Sequence, residues 1–98
     1  MDDVKINRLI RTARKKRELT LTELAKRVGV SLSYLSRVES GHHKVLSEKL
    51  LSRLATELAL TEDDVFASAG RIPNDVHRYL IDNPKAIAKV RTMMGDAA

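Results

Sequence analysis

Lys and Arg are the side chains through which this sequence is best equipped to act, and they are unevenly placed. Residues 1–44 hold eleven Lys and Arg against five Asp and Glu, whereas residues 45–98 hold seven against eight. The whole of the net charge of +5 therefore sits in the first half. Cations that neutralise phosphates gain free energy by releasing condensed counterions, so a polyanion-binding face is the chemistry that this asymmetry suggests. Charge alone is equally compatible with a solvated helix face, and a motif is needed to decide.

Other chemistries find little support. His42-His43 invites a metal hypothesis, but no further His, Cys or paired carboxylate stands at ligand spacing, so a polar loop and no metal site are expected. No strained Ser elbow occurs with a His/Asp arrangement, and no glycine-rich phosphate loop is present, so neither catalysis nor a cofactor is expected. Tyr34, Phe66 and Tyr79 are the only aromatic residues, which argues against stacking of unpaired bases. Cysteine is absent, so packed helices must stabilise the fold without disulfides or thiolate metal sites. No run approaches the length of about 18 apolar residues that a membrane span needs. Met1-Asp2-Asp3 is acidic and precedes no apolar stretch, unlike a secretory signal, so a cytoplasmic location is expected.

The elements that would position the cations are helical throughout. Ile6, Leu9, Ile10 and Ala13 follow helical spacing and predict a first helix over about 3–17. Thr20-x-x-Glu23 is a capping box for a second helix carrying Leu24, Ala25 and Val28, which Gly29 ends by tolerating positive φ. Ser31 caps a third helix that turns Leu35 and Val38 inward and stops at Ser40-Gly41. Ser47 caps a fourth, with Leu50, Leu51, Leu54, Ala55 and Leu58 as its stripe. Thr61 begins a short, acidic-fronted fifth that ends at Gly70. Pro73 and Asn83-Pro84 bracket a helix over about 74–82, and another runs to about Met94. No strand-length alternation occurs, so the fold is expected to be all-α.

Residues 21–40 have what a helix-turn-helix needs. Two helices crossing steeply through a tight turn require a small residue where the backbones approach, which Ala25 supplies, and positive φ four positions later, which Gly29 supplies. Leu24, Val28, Val30, Leu35 and Val38 fill the wedge between them.

The stretch Ile10-Arg11…Arg14…Leu19-Thr20…Glu23-Leu24-Ala25…Gly29-Val30-Ser31…Leu35-Ser36-Arg37-Val38-Glu39-Ser40-Gly41 resembles the phage-repressor and Cro type of helix-turn-helix, the XRE family. Leu50…Leu54-Ala55…Leu58 and Thr61…Asp64-Val65-Phe66 look like that family's fourth and fifth helices. The resemblance implies a five-helix, lambda-repressor-like DNA-binding domain over 1–70, with 71–98 as a short C-terminal helical extension. It further implies a homodimer that binds double-stranded DNA and represses from a palindromic operator.

Position by position, the resemblance makes Arg14 and Glu39 an ion pair tying the first helix to the end of the third, a role suited to the guanidinium fork. It places the third helix in the major groove with Leu32, Ser33 and Arg37 toward base edges. Arg37 can bond guanine N7 and O6, Ser33 can donate or accept, and Leu32 can pack on a thymine methyl. Backbone contacts are expected from Thr20, Leu21, Tyr34, Ser36, Ser40 and Lys44, with Lys26 and Arg27 as further candidates. The family often has Gln at the starts of the second and third helices, where this sequence has Leu21 and Leu32. Neither side chain hydrogen-bonds, so readout is expected to lean on shape and methyl contacts, and Leu21 to meet phosphate through backbone N–H groups.

Ile72, Val76, Tyr79, Leu80, Ile87, Val90, Met93 and Met94 make residues 71–98 more apolar than two exposed helices need. They either dock on the five-helix domain as extra core or form a dimer interface, and the dimer interface is preferred, with Ile72, Val76, Tyr79, Leu80, Ile87, Val90 and Met93 at its centre. Alternatives to a repressor are a DNA-binding antitoxin that also masks a toxin, and a helix-turn-helix used as a protein-interaction module. A protein antirepressor is a further partner to consider.

Overall fold

The computed structural model describes residues 3–42 and 45–95, and these form seven α-helices with no strand among them. They are α1 (Asp3–Lys16), α2 (Leu21–Val28), α3 (Leu32–Glu39), α4 (Glu48–Leu58), α5 (Glu62–Ser68), α6 (Asn74–Asp82) and α7 (Pro84–Met93). Helices α2 to α5 each begin on a hydroxyl side chain that accepts the third helical amide: Thr20 from Glu23, Ser31 from Tyr34, Ser47 from Leu50 and Thr61 from Asp64. Each such cap satisfies one amide that has no intrahelical acceptor and contributes about 1 kcal/mol. At Thr20 the box is reciprocal, because the Thr20 amide also donates to Glu23 Oε1 at 2.8 Å.

Helices α1 to α5 share one core. α1 contributes Ile6, Ile10 and Ala13, one face at helical spacing, and α4 contributes Leu50, Leu51, Leu54, Ala55 and Leu58. Leu24, Ala25 and Val28 from α2, Leu35 and Val38 from α3, and Val65 and Phe66 from α5 close it. Leu46, in the irregular segment before α4, is buried with them. Each fully buried Leu, Val or Phe stabilises the fold by about 1.5–3 kcal/mol, and this set is the main source of stability in a chain without cysteine.

α6 and α7 pack on each other and bury no residue. They lengthen the molecule to 47 × 24 × 22 Å, with a radius of gyration of 15.6 Å. A compact chain of about 100 residues has about 13 Å. Residues 71–95 thus add nothing to the core of α1–α5, and the less favoured alternative, docking there as extra core, is not the arrangement seen. No helix among the described residues is long and apolar enough to cross a membrane.

Candidate nucleic-acid interface

α2 and α3 are joined by three residues, Gly29, Val30 and Ser31. Gly29 adopts φ 77°, ψ 35°, and its amide donates back to Ala25 O at 2.9 Å. Val30 N reaches the same carbonyl at 3.0 Å, which turns the chain sharply. Ser31 Oγ then accepts from Tyr34 N at 3.1 Å and starts α3. The buried wedge between the two helices is Leu24, Ala25, Val28, Leu35 and Val38, with Val30 half-buried beside it.

With Leu35 and Val38 turned inward, α3 presents Leu32, Ser33, Ser36 and Arg37 to solvent on its opposite side. These positions, i, i+1, i+4 and i+5, form one strip along the helix. Leu32 is 47% exposed. Among the described residues, no hydrogen bond or ion pair holds the Arg37 guanidinium. The strip therefore offers one apolar knob, two hydroxyls and one unengaged cation, a combination that can address base edges.

A buried polar frame fixes the pose of α3. Arg14 Nε donates to Glu39 Oε2 at 2.6 Å and Arg14 Nη2 to Glu39 Oε1 at 3.0 Å, while Arg14 Nη1 donates to Leu19 O at 2.9 Å. Side-chain exposure is 13% for Arg14 and 5% for Glu39. The hydrogen bond to Glu39 raises the Arg14 pKa above its ordinary value, partly opposed by burial. Asn7 Nδ2 adds a long hydrogen bond, 3.4 Å, to the Glu39 carbonyl. Gly41, at φ +80°, lies so close that a Cβ there would stand 3.0 Å from Asn7 Nδ2. Glycine meets both demands without strain.

The residues expected at the DNA backbone are placed differently from one another. Thr20 Oγ1 accepts from Glu23 N at 3.0 Å. Hydrogen bonds from the Thr20 backbone and hydroxyl hold the Glu23 carboxyl below its ordinary pKa. The Leu21 side chain packs partly on the core, which accounts for an apolar residue there. The amides of Leu21 and Thr22, the first two of the helix, lack intrahelical acceptors and remain for an anion. Tyr34 is half-buried against the core, and Ser36 is exposed. Ser40 Oγ is engaged inside the turn, 3.2 Å from Arg37 O and 2.9 Å from His42 Nδ1. Lys44 and His43 lie outside the described residues. No group of three or more His, Cys, Asp and Glu among the described residues could hold a metal.

Four contacts had no signal in the sequence. Arg53 Nη1 lies 3.5 Å from Val28 O, behind the Gly29 turn. Arg53 and Ser47 line one side, and Gly29 and Val30 the other, of a groove of about 200 Å³ between the turn and α4. Arg71 Nη1 donates to Leu46 O at 2.6 Å. Arg11 Nε stands 3.9 Å from Glu39 Oε1, a second cation near the same carboxylate. Asn7 completes the set. Each joins residues 25 or more apart in sequence or lies on an exposed helix face, where no spacing rule applies.

Of the expected interface residues in the extension, Ile72, Val76, Tyr79, Ile87, Val90 and Met93 are exposed, as are Ile81 and Met94, and Leu80 is half-buried. α6 and α7 thus leave an apolar surface open to solvent.

The helix-turn-helix family model matches residues 10–65. Over 55 residues the chain is 44% identical to the ImmF control region 10 kDa protein of Bacillus phage phi105, covering 56% of this chain and 60% of that protein. Over 61 residues it is 36% identical to the HTH-type transcriptional regulator SlrR of Bacillus subtilis (strain 168), covering 62% of this chain and 40% of that one. The chain thus spans less than two thirds of the length of both curated relatives. The crystal structure of the clp gene regulator ClgR from Corynebacterium glutamicum superposes with a TM-score of 0.62 at 26% identity, over 96% of this chain and 94% of that one.

Proposed function

Because the chain belongs to the helix-turn-helix family of transcriptional regulators, of phage-repressor and Cro (XRE) type, we propose that it is a homodimeric repressor that reads a palindromic operator through the major groove. The observation that carries this reading is the exposed strip Leu32, Ser33, Ser36 and Arg37, held in a fixed pose by the buried Arg14–Glu39 pair. Arg37 reads a guanine, Ser33 assists, and Leu32 meets a thymine methyl. Thr20, the amides at Leu21, Tyr34, Ser36, Ser40 and Lys44 set the register against the phosphates. Residues 1–70 form the DNA-binding unit. The extension, 71–98, pairs two copies through the apolar surface of α6 and α7, so that two α3 helices enter major grooves about 34 Å apart.

The deciding experiment is fluorescence anisotropy on labelled DNA from upstream of the chain's own gene and on a scrambled duplex, at two salt concentrations. The upstream DNA is expected to bind preferentially, with affinity falling as salt rises. Arg37→Ala is expected to reduce that preference by about 1–3 kcal/mol. Equal binding to both duplexes would assign the interaction to charge alone, and absence of binding at low salt would overturn the reading.

A further inference from the structure

We propose that Arg71 is a positioning residue for DNA recognition, fixing the segment that leads into α4, and through it the turn ahead of α3, to the base of the α6–α7 hairpin. The inference rests on the DNA-binding reading above. Arg71 stands in the connection between α5 and α6, where its amide donates to Phe66 O at 2.8 Å. Its guanidinium crosses to the Leu46 carbonyl at 2.6 Å, a link between residues 25 apart. Leu46 is 3% exposed, and a buried carbonyl stripped of its donor is driven to move toward water. Ser47, the next residue, caps α4 by accepting from Leu50 N at 3.1 Å. Ser47 and Arg53 then face Gly29 and Val30 across the groove, and Arg53 reaches Val28 O. The link from the hairpin base therefore runs through Leu46 and the Ser47 cap into α4, and along α4 to Arg53. The hydrogen bond from Arg53 to Val28 O, at 3.5 Å, meets the residues just before the turn into the reading helix. Arg71 itself lies past α5 and takes no part in the strip on α3.

The test uses the full chain. In Arg71→Ala, amide hydrogen exchange is expected to accelerate at Leu46 to Leu50 while amides of Ile10 and Leu24 keep their protection. Affinity for the upstream DNA is expected to fall about tenfold, as loss of a charge-assisted hydrogen bond implies. The salt slope is expected to stay unchanged, because no phosphate contact is lost. Arg71→Lys keeps a donor and is expected to give intermediate exchange and intermediate affinity; it also carries the test should Arg71→Ala fail to fold. Unchanged exchange with a salt slope reduced by about one would make Arg71 a phosphate contact and overturn the proposal. Faster exchange with unchanged affinity, in either variant, would overturn it too. If the wild type prefers no DNA, the DNA-binding reading itself fails. The two failures are distinguishable because the exchange measurement needs no DNA.

Discussion

Arg14 grips both carboxylate oxygens of Glu39, across 25 residues of sequence, and so fastens the last turn of α3 to α1. Among the described residues Glu39 is the only charged one in the buried set, so there the pair is what brings ionic charge to the core. Its geometry fixes direction as well as distance, because a planar fork meets a planar carboxylate in one orientation.

Removing one partner leaves the other charge buried and uncompensated. Glu39→Ala and Arg14→Ala are each expected to destabilise the fold by about 3 kcal/mol in urea denaturation. Arg14→Met and Glu39→Leu made together are expected to cost much less than the sum of the same two made singly, since the desolvation penalty then disappears from both sides. A double variant as unstable as the sum of the singles would show that the two residues act independently.

The capping box gives a pH dependence of definite sign. Glu23 has a folded pKa depressed below its ordinary value of 4.5 by hydrogen bonds from Thr20. Its stabilisation is therefore fully present above that ordinary value and is lost as pH falls through the lower folded one. Thermal unfolding of Glu23→Gln, followed from neutral pH into the acid range, is expected to lose less stability on acidification than the wild type. Parallel curves would place the effect elsewhere.

Ala59, the residue that ends α4, adopts φ 55°, ψ 42°, a left-handed conformation that costs a residue with a Cβ about 1–2 kcal/mol. Glycine escapes that cost while losing more backbone entropy on folding. Ala59→Gly is accordingly expected to stabilise by about 0.5–1 kcal/mol, readable as a rise in the urea midpoint. An unchanged or lower midpoint would contradict the strained geometry.

Leu32→Ala removes a side chain without charge. On the proposed reading it lowers discrimination at one base pair and leaves the salt slope as in the wild type, which anisotropy on single-base operator variants resolves. An equal loss on every variant would take Leu32 out of base readout.

Val90 belongs to a surface that shares no core residue with α1–α5. If two copies pair through α6 and α7 as proposed, Val90→Asp is expected to give a monomer in sedimentation while the stability of the α1–α5 core stays within about 0.5 kcal/mol of wild type. A dimer that persists would move the interface elsewhere.

Much of the fold was legible because it is specified locally. Thr20, Ser31, Ser47 and Thr61 sit where caps must sit, and Gly29 marks a turn that few other residues permit. Leu46 was not legible: an isolated apolar residue in an irregular segment has no period to reveal its burial. Ala59 concealed a left-handed helix end under a residue that usually prolongs helices. The links of Arg71 to Leu46 and Arg53 to Val28 depend on where separate helices come to rest, which no local pattern encodes. The strip on α3 came from the family resemblance, with the cap at Ser31 and the inward turn of Leu35 and Val38 in agreement, whereas the engagement of Ser40 with His42 has no local signal. For α6 and α7, apolar composition announced that something must cover them, but the same composition suits a domain and a partner equally.

The brevity of α3 sets a limit on information. Its eight residues rise about 12 Å, and base pairs are stacked about 3.4 Å apart, so one helix passes about four of them. Four base pairs encode about eight bits, and a stretch that short recurs thousands of times among the roughly 10⁶ competing sites of a small genome. Reading twice doubles the bits and cuts the chance matches to about fifteen among those roughly 10⁶ sites. On the proposed reading, a helix of two turns is thus an address only when it is read in duplicate.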